Sequence, residues 1–167
     1  MIYGFAAAGS RAVCTFASRS PIKVGGLVHQ LLVLRLYDRR YALRLLDVER
    51  VLHMVEITPL PGAPPEVLGV INIQGEVTSV IDLRRCCTLP PLEVGPEQVL
   101  VLVRRGGGIV ALAADWVEVT VGWQEEGVVP ADEIQPAPPF LEGMAKLADG
   151  LVPVLDLDRL LHDILPP

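Results

Sequence analysis

PGAPPEVLGVINIQGEVTSVIDLRR, residues 61–85, is the stretch of this chain that decides the fold. After a proline-rich start it contains two runs of apolar residues, many of them β-branched, and this composition is typical of strands. Gln74-Gly75 lies between the two runs, and glycine can adopt the positive φ that a tight hairpin turn requires. The stretch therefore predicts a β-hairpin that ends at Asp82.

The same pattern occurs twice in the chain. It consists of an Ala-Pro-Pro triplet, a glycine four residues later and an aspartate thirteen residues beyond the glycine. The first copy has Ala63–Pro65, Gly69 and Asp82, and the second has Ala137–Pro139, Gly143 and Asp156. Two copies are too few for a solenoid. The repeat predicts two copies of one small β unit, packed on each other.

Four aspartates occupy repeated positions, each after an apolar run and before a turn: Asp47, Asp82, Asp115 and Asp156. An aspartate in that place can accept hydrogen bonds from the amides that follow it. Capping accounts for all four, whereas acid/base catalysis would account for one pair at most. We therefore expect helical turns over residues 48–52 and a terminal helix over residues 156–165.

The composition limits the class of protein. Apolar residues make up 51% of the 167 residues and aromatic residues only 5%, which predicts a core built from Leu, Val, Ile and Ala. A net charge of −6 gives no electrostatic reason to expect nucleic acid as a partner. The sequence contains no uncharged apolar run long enough to cross a bilayer, so we expect no direct membrane insertion.

No residue pattern indicates a catalytic, cofactor or metal site. The three cysteines form no C-x-x-C motif and suit a reducing cytoplasm. His29, His53 and His162 lack the spacing of metal ligands. Gly106–Gly108 lacks the Lys-Ser/Thr that would follow in a phosphate-binding loop. We expect no catalytic residues, no metal and no cofactor.

The N-terminal part differs from the rest of the chain. Residues 1–37 contain four basic residues and no acid, which leaves a charge of −10 for residues 38–167. Residues 1–30 show no periodic apolar face, and their composition resembles a transit peptide only weakly. We expect a poorly ordered or non-native tail over residues 1–30, with the fold beginning at Leu31.

Further strands are expected on both sides of the hairpin. Residues 31–37 and 41–45 form one pair of apolar runs around a polar turn, and residues 99–103 and 109–113 form a second pair. Together with the repeated hairpin, they indicate a mostly all-β fold.

Three segments carry a family resemblance: Tyr41–Leu52, Ile57–Pro64 and Leu68–Leu83. They closely resemble the CheW-like domain of bacterial chemotaxis, and the likeness extends from about Leu31 to Leu161. It implies two similar five-stranded SH3-like β-barrels side by side, with short capping helices and a C-terminal helix. It also implies a first barrel at about residues 41–89 and a second at about 97–155, completed by strand 31–37 and helix 156–165.

The resemblance implies a cytoplasmic, non-enzymatic adaptor that joins chemoreceptor tips to a sensor histidine kinase. The partner-binding residues it implies are Val48, Arg50, Val51, Asn72, Gln74, Gly75 and Glu76. At two of them this chain differs from the family pattern, which has glutamate where Arg50 stands and arginine where Gln74 stands. We interpret this as a changed choice of partner. The alternative function is a small-molecule or regulatory module that uses the groove between the barrels.

Overall fold

The computed structural model describes residues 28–91, 93–124 and 128–165, and it folds them into eleven strands and two short α-helices. The strands are β1 (Val28–Leu36), β2 (Arg39–Arg44), β3 (Val48–His53), β4 (Val67–Ile73), β5 (Glu76–Asp82), β6 (Val99–Arg105), β7 (Gly108–Ala114), β8 (Trp116–Gln124), β9 (Val128–Pro130), β10 (Leu141–Leu147) and β11 (Gly150–Leu155). The helices are α1 (Leu83–Cys86) and α2 (Leu157–Leu161). Of the expected N-terminal tail, residues 1–27 lie outside the described residues.

The strands form two sheets, which confirms the mostly β fold with two barrel-like units. The five-stranded barrel has the strand order β3-β6-β7-β5-β4. The six-stranded barrel has the order β8-β1-β2-β11-β10-β9, because the short strand β9 adds to the edge of β10.

The two halves of the chain exchange their first hairpins, which differs from the expected division at residues 41–89 and 97–155. The β1–β2 hairpin lies in the six-stranded barrel beside β11, and the β6–β7 hairpin lies in the five-stranded barrel beside β5. Both contacts are parallel and equivalent, with Val154 opposite Ala42 and Val80 opposite Ala111. The segments that follow these hairpins, residues 45–47 and residue 115, continue the chain into the other barrel instead of reversing it.

The hairpin predicted from residues 61–85 is present with its turn at Gln74-Gly75. Both turn residues have positive φ, 54° for Gln74 and 96° for Gly75. The repeated Gly69 has a different role, because a Cβ there would lie 2.2 Å from the Thr58 carbonyl oxygen. It lies at a β-bulge between β4 and β5, and its counterpart Gly143 lies at the equivalent bulge between β10 and β11.

The largest apolar cluster lies between the barrels, and each barrel also has a smaller interior cluster. We call the large cluster the interbarrel core. Its buried members are Leu32, Leu34, Leu36, Tyr41, Leu43, Ile81, Leu83, Cys87, Val99, Val101, Val103, Val110, Leu112, Ala114, Leu155, Leu157, Leu160 and Leu161. These side chains pack against one another and fill the interior between the two barrels.

Three predicted elements differ in extent or type. The expected helical turns over residues 48–52 are strand β3, because that segment pairs with β6. The C-terminal helix ends at Leu161 instead of residue 165, and residues 162–164 form turns. Strand β1 begins at Val28, three residues earlier than the expected start of the fold.

Candidate functional site

The predicted partner-binding residues all lie on the five-stranded barrel, but on two different edges of its sheet. Val48, Arg50 and Val51 lie on β3, whereas the other four lie at the β4–β5 turn. A backbone bridge between Thr58 and Val70 joins the segment after β3 to β4. The predicted residues therefore form two groups, one on β3 and one at the β4–β5 turn.

Contacts within this set limit what each residue can offer a partner. Val48 and Val51 are half-buried and pack against the interbarrel core. The Asn72 side chain accepts a hydrogen bond of 2.9 Å from the Gly75 amide and so supports the turn. The Arg50 guanidinium lies 3.9 Å from the Glu49 carboxylate. Arg50, Gln74 and Glu76 remain as the polar side chains that a partner could contact.

The gap between β3 and β4 forms an apolar groove of about 810 Å³, which we call the edge groove. It is lined by Leu52, His53, Met54, Val55, Glu56, Thr58, Val70, Ile71, Asn72 and Val77. Val77 is 74% exposed in it, and Val55 is also exposed. Exposed apolar side chains that lie together in a groove are typical of a protein-binding surface. Sequence reasoning missed the groove, although Val77 was visible as an apolar residue beside the turn.

On one side of the molecule the barrels are joined by an ion pair, and we call this contact the closed seam. Asp115, between β7 and β8, accepts hydrogen bonds from Arg84 of α1 at both carboxylate oxygens, with 2.8 Å between Arg84 Nε and Asp115 Oδ2. The Tyr37 amide in the β1–β2 turn donates to Asp115 Oδ2 at 2.5 Å. The Arg84 guanidinium also lies 5.5 Å from the centre of the Tyr37 ring.

On the other side, the equivalent place is a groove of about 520 Å³, which we call the open seam. It is lined by Arg44, Asp47, Arg104, Arg105, Gly106, Glu142, Leu155, Asp156, Leu157 and Asp158. Burial raises the pKa of the Asp47 carboxyl; Arg44 opposes this shift, and Asp158, Glu142 and Asp156 add to it. The charged form of Asp47 is therefore only partly compensated by its surroundings.

The four repeated aspartates divide into two pairs. Asp82 caps α1 by accepting from the amides of Arg84 and Arg85, and Asp156 caps α2 by accepting from the amide of Arg159. The capping prediction is wrong for Asp47 and Asp115, because each lies at a crossover between the barrels and precedes a strand. Their tertiary neighbours, and no local helix, determine what these two carboxylates contact.

Three further properties of the described residues concern metal binding, membrane crossing and the cysteine thiols. Among residues 28–91, 93–124 and 128–165, no group of three or more His, Cys, Asp or Glu is placed to hold a metal ion. No helix in the same ranges is long and apolar enough to cross a membrane. Burial raises the pKa of the Cys86 and Cys87 thiols to about 12, which keeps both protonated at neutral pH.

Comparisons with known proteins agree with this architecture. A family model described as "CheW-like domain" matches residues 30–165. The chemotaxis protein CheW of Bacillus subtilis is 29% identical over 133 residues, which cover 77% of this chain and 74% of that protein. The chemotaxis protein CheW of Klebsiella aerogenes is 23% identical over 134 residues, covering 79% of this chain and 81% of that protein.

A solved structure has the same fold. The crystal structure of scaffolding protein TtCheW from Thermoanaerobacter tengcongensis superimposes with a TM-score of 0.75 at 26% sequence identity. The match covers 81% of this chain and 94% of that one. The likeness therefore includes both barrels.

Proposed function

The chain belongs to the CheW-like domain family and is a chemotaxis scaffold of that kind, and we propose that it couples the cytoplasmic tips of chemoreceptors to a sensor histidine kinase. The proposal places the protein in the cytoplasm and assigns it no catalytic step. Its function is to hold two other proteins in a fixed arrangement.

The edge groove is the observation that carries the proposal. Its lining is mainly apolar, it lies in the wall of the five-stranded barrel, and it presents Val55 and Val77 to solvent. Exposed aliphatic side chains in a groove can be covered by an apolar surface of a second protein. We assign the kinase contact to this groove.

The receptor contact is assigned to the predicted residues beside it: Val48, Arg50, Val51, Asn72, Gln74, Gly75 and Glu76. Arg50 and Gln74 differ from the family pattern and are expected to determine which receptor is chosen. A receptor surface that offers a carboxylate would suit Arg50, whose only recorded ion pair among the described residues is the long one with Glu49.

Co-elution of the purified chain with a kinase fragment and with a receptor-tip fragment from the same organism tests the scaffold function. The double variant Arg50→Glu with Gln74→Arg restores the family residues and should weaken receptor binding by roughly 1–3 kcal/mol if the charges are desolvated at the interface. Kinase binding should be retained, because the edge groove is unchanged.

Arg39→Glu is the matched control for the Arg50→Glu half of the double variant, since it makes the same charge reversal at an exposed arginine of the six-stranded barrel. Equal loss of both partners in the double variant would contradict the assignment of the receptor site. Failure of the unmodified chain to bind either fragment would contradict the scaffold function itself.

A further inference from the structure

The closed and open seams are counterparts related by the internal repeat. Asp115 and Asp47 each lie between an exchanged hairpin and the next strand. Arg84 and Asp158 each lie two residues after the aspartate that caps a helix. Tyr37 and Gly106 are each the first residue of a hairpin turn, with φ of 59° and 55°. One set of backbone positions therefore carries two different sets of side chains.

In the closed seam the carboxylate is fully matched by groups of the protein itself. Arg84 and Asp115 are only 15% and 16% exposed, and they make a two-point ion pair. A carboxylate removed from water in this way is stable only when hydrogen bonds and a cation compensate for the lost hydration. The Arg84 guanidinium also lies over the Tyr37 ring.

In the open seam the positions equivalent to Arg84 and Tyr37 hold neither an arginine nor an aromatic ring. Asp158 stands where Arg84 would be, its side chain is 90% exposed, and it brings a second negative charge. Gly106 stands where Tyr37 would be, and a Cβ at Gly106 would meet no atom within 4 Å. These two replacements explain why the open seam is a groove, whereas the closed seam is filled.

The arginines that line the open seam are each engaged with a carboxylate other than Asp47. Arg44 pairs with Glu142 through two hydrogen bonds. Arg104 donates to Glu49 at 2.8 Å, and Arg105 lies 3.6 Å from Asp158. Arg44 acts on Asp47 electrostatically, yet the pKa of Asp47 stays above its ordinary value. The groove thus contains a half-buried carboxylate, Asp47, whose counterpart in the other seam, Asp115, is paired with an arginine.

We infer that the open seam accepts an arginine side chain from the receptor, which takes the place against Asp47 that Arg84 takes against Asp115. The inference rests on the proposed function for the identity of this partner. Asp47 directly precedes Val48, so the open seam is continuous with the proposed receptor surface. An arginine fits better than a lysine, because the planar guanidinium can bond both carboxylate oxygens as Arg84 does.

Asp158→Arg tests whether a cation can reach Asp47, without any partner. The new arginine occupies the position equivalent to Arg84, so the pKa of Asp47, followed by NMR of its carboxyl carbon, should fall well below its value in the unmodified chain. Asp158→Asn is the matched control and should lower this pKa less, because it removes a neighbouring charge without supplying a cation. Equal pKa values in the two folded variants would overturn the inference.

Titration with N-acetyl-arginine amide tests the empty groove directly. The Asp47 carboxyl signal of the unmodified chain should shift saturably, and the shift should be absent with the uncharged analogue N-acetyl-citrulline amide and in Asp158→Arg. No saturable shift in the unmodified chain, or the same shift with both compounds, would overturn the inference.

Receptor binding then connects the groove to function. Asp47→Asn and Asp158→Arg should each lower the affinity for the receptor-tip fragment by about tenfold, which corresponds to about 1.4 kcal/mol. Asp132→Asn, which removes an exposed carboxylate outside the groove, should have no effect. Unchanged affinity in both variants would overturn the inference. Absence of receptor binding by the unmodified chain would instead contradict the proposed function, while the two partner-free measurements would still decide whether the seam holds an arginine.

Discussion

The closed seam and the open seam show how one duplicated structure can serve two purposes. At the closed seam, Arg84, Asp115 and Tyr37 join the two barrels through their own contacts. At the open seam, the equivalent positions hold Asp158, Asp47 and Gly106, and a groove remains. The backbone arrangement alone therefore does not determine whether a seam is filled by the protein's own contacts or remains a groove, because the side chains at two of these positions decide it.

The largest expected effect comes from breaking the closed seam. Arg84→Ala leaves the carboxylate of Asp115 largely buried without its cation, so the free energy of unfolding should fall by about 3 kcal/mol. Asp158→Ala, the counterpart in the open seam, removes a highly exposed side chain and should change it by less than about 0.5 kcal/mol. Urea denaturation of the two variants measures both values. Similar losses would show that the two seams do not differ as the structure indicates.

The two helix-capping aspartates are expected to contribute unequally to stability. Asp82 is fully buried, accepts hydrogen bonds from two amides and lies 3.4 Å from Arg85. Asp82→Ala should therefore lower the free energy of unfolding by about 2 kcal/mol. Asp156 is partly exposed and accepts from one amide, so Asp156→Ala should cost about 1 kcal/mol. Thermal and urea unfolding would rank the two variants. The reverse order would contradict the view that burial makes the first cap the more important one.

The exposed valine of the edge groove has an equivalent residue in the other half of the chain. Val77 and Leu151 are the second residues of equivalent strands, 74% and 57% exposed. Only Val77 lines the edge groove, so Val77→Asp should weaken kinase binding by about 1–2 kcal/mol with little change in stability. Leu151→Asp should leave kinase binding unchanged. Isothermal titration calorimetry of both variants against the kinase fragment measures the difference. An equal loss of affinity would contradict the assignment of the kinase contact to the groove.

The smallest expected effect is that of Asp47→Asn, and its sign is opposite to that of the same change at the counterpart Asp115. Because the pKa of Asp47 is raised in the folded state, the fold binds more protons than the unfolded chain, and stability falls as pH rises from the ordinary carboxyl pKa through the raised value. Asp47→Asn should therefore slightly increase stability at neutral pH, and this gain should vanish in acid. Asp115→Asn should decrease stability at neutral pH. Unfolding free energies of both variants across the acid range test this, and a loss of stability in Asp47→Asn at neutral pH would contradict it.

Local patterns were sufficient for the hairpins and the internal repeat. Alternating apolar residues around Gln74-Gly75 predicted the central hairpin, because turn geometry and side-chain alternation depend on neighbours along the chain. The same reasoning failed for residues 48–53. Their Val-Glu-Arg-Val-Leu-His pattern suits a helical turn after an aspartate as well as a strand, and pairing with β6 decides for the strand.

The sequence by itself determined a mostly β protein of two similar units, its family, and the positions of the repeated aspartates. These properties depend on composition, spacing and short-range geometry. Only the tertiary structure decided that the hairpins are exchanged, since β2 and β7 find their parallel partners in the opposite half of the chain. It also decided the roles of the crossover aspartates: Arg84 reaches Asp115 across 31 positions of sequence, whereas Asp158 at the equivalent place leaves Asp47 without such a cation. Contacts between residues far apart in sequence depend on how the barrels pack, and local sequence patterns do not predict that packing.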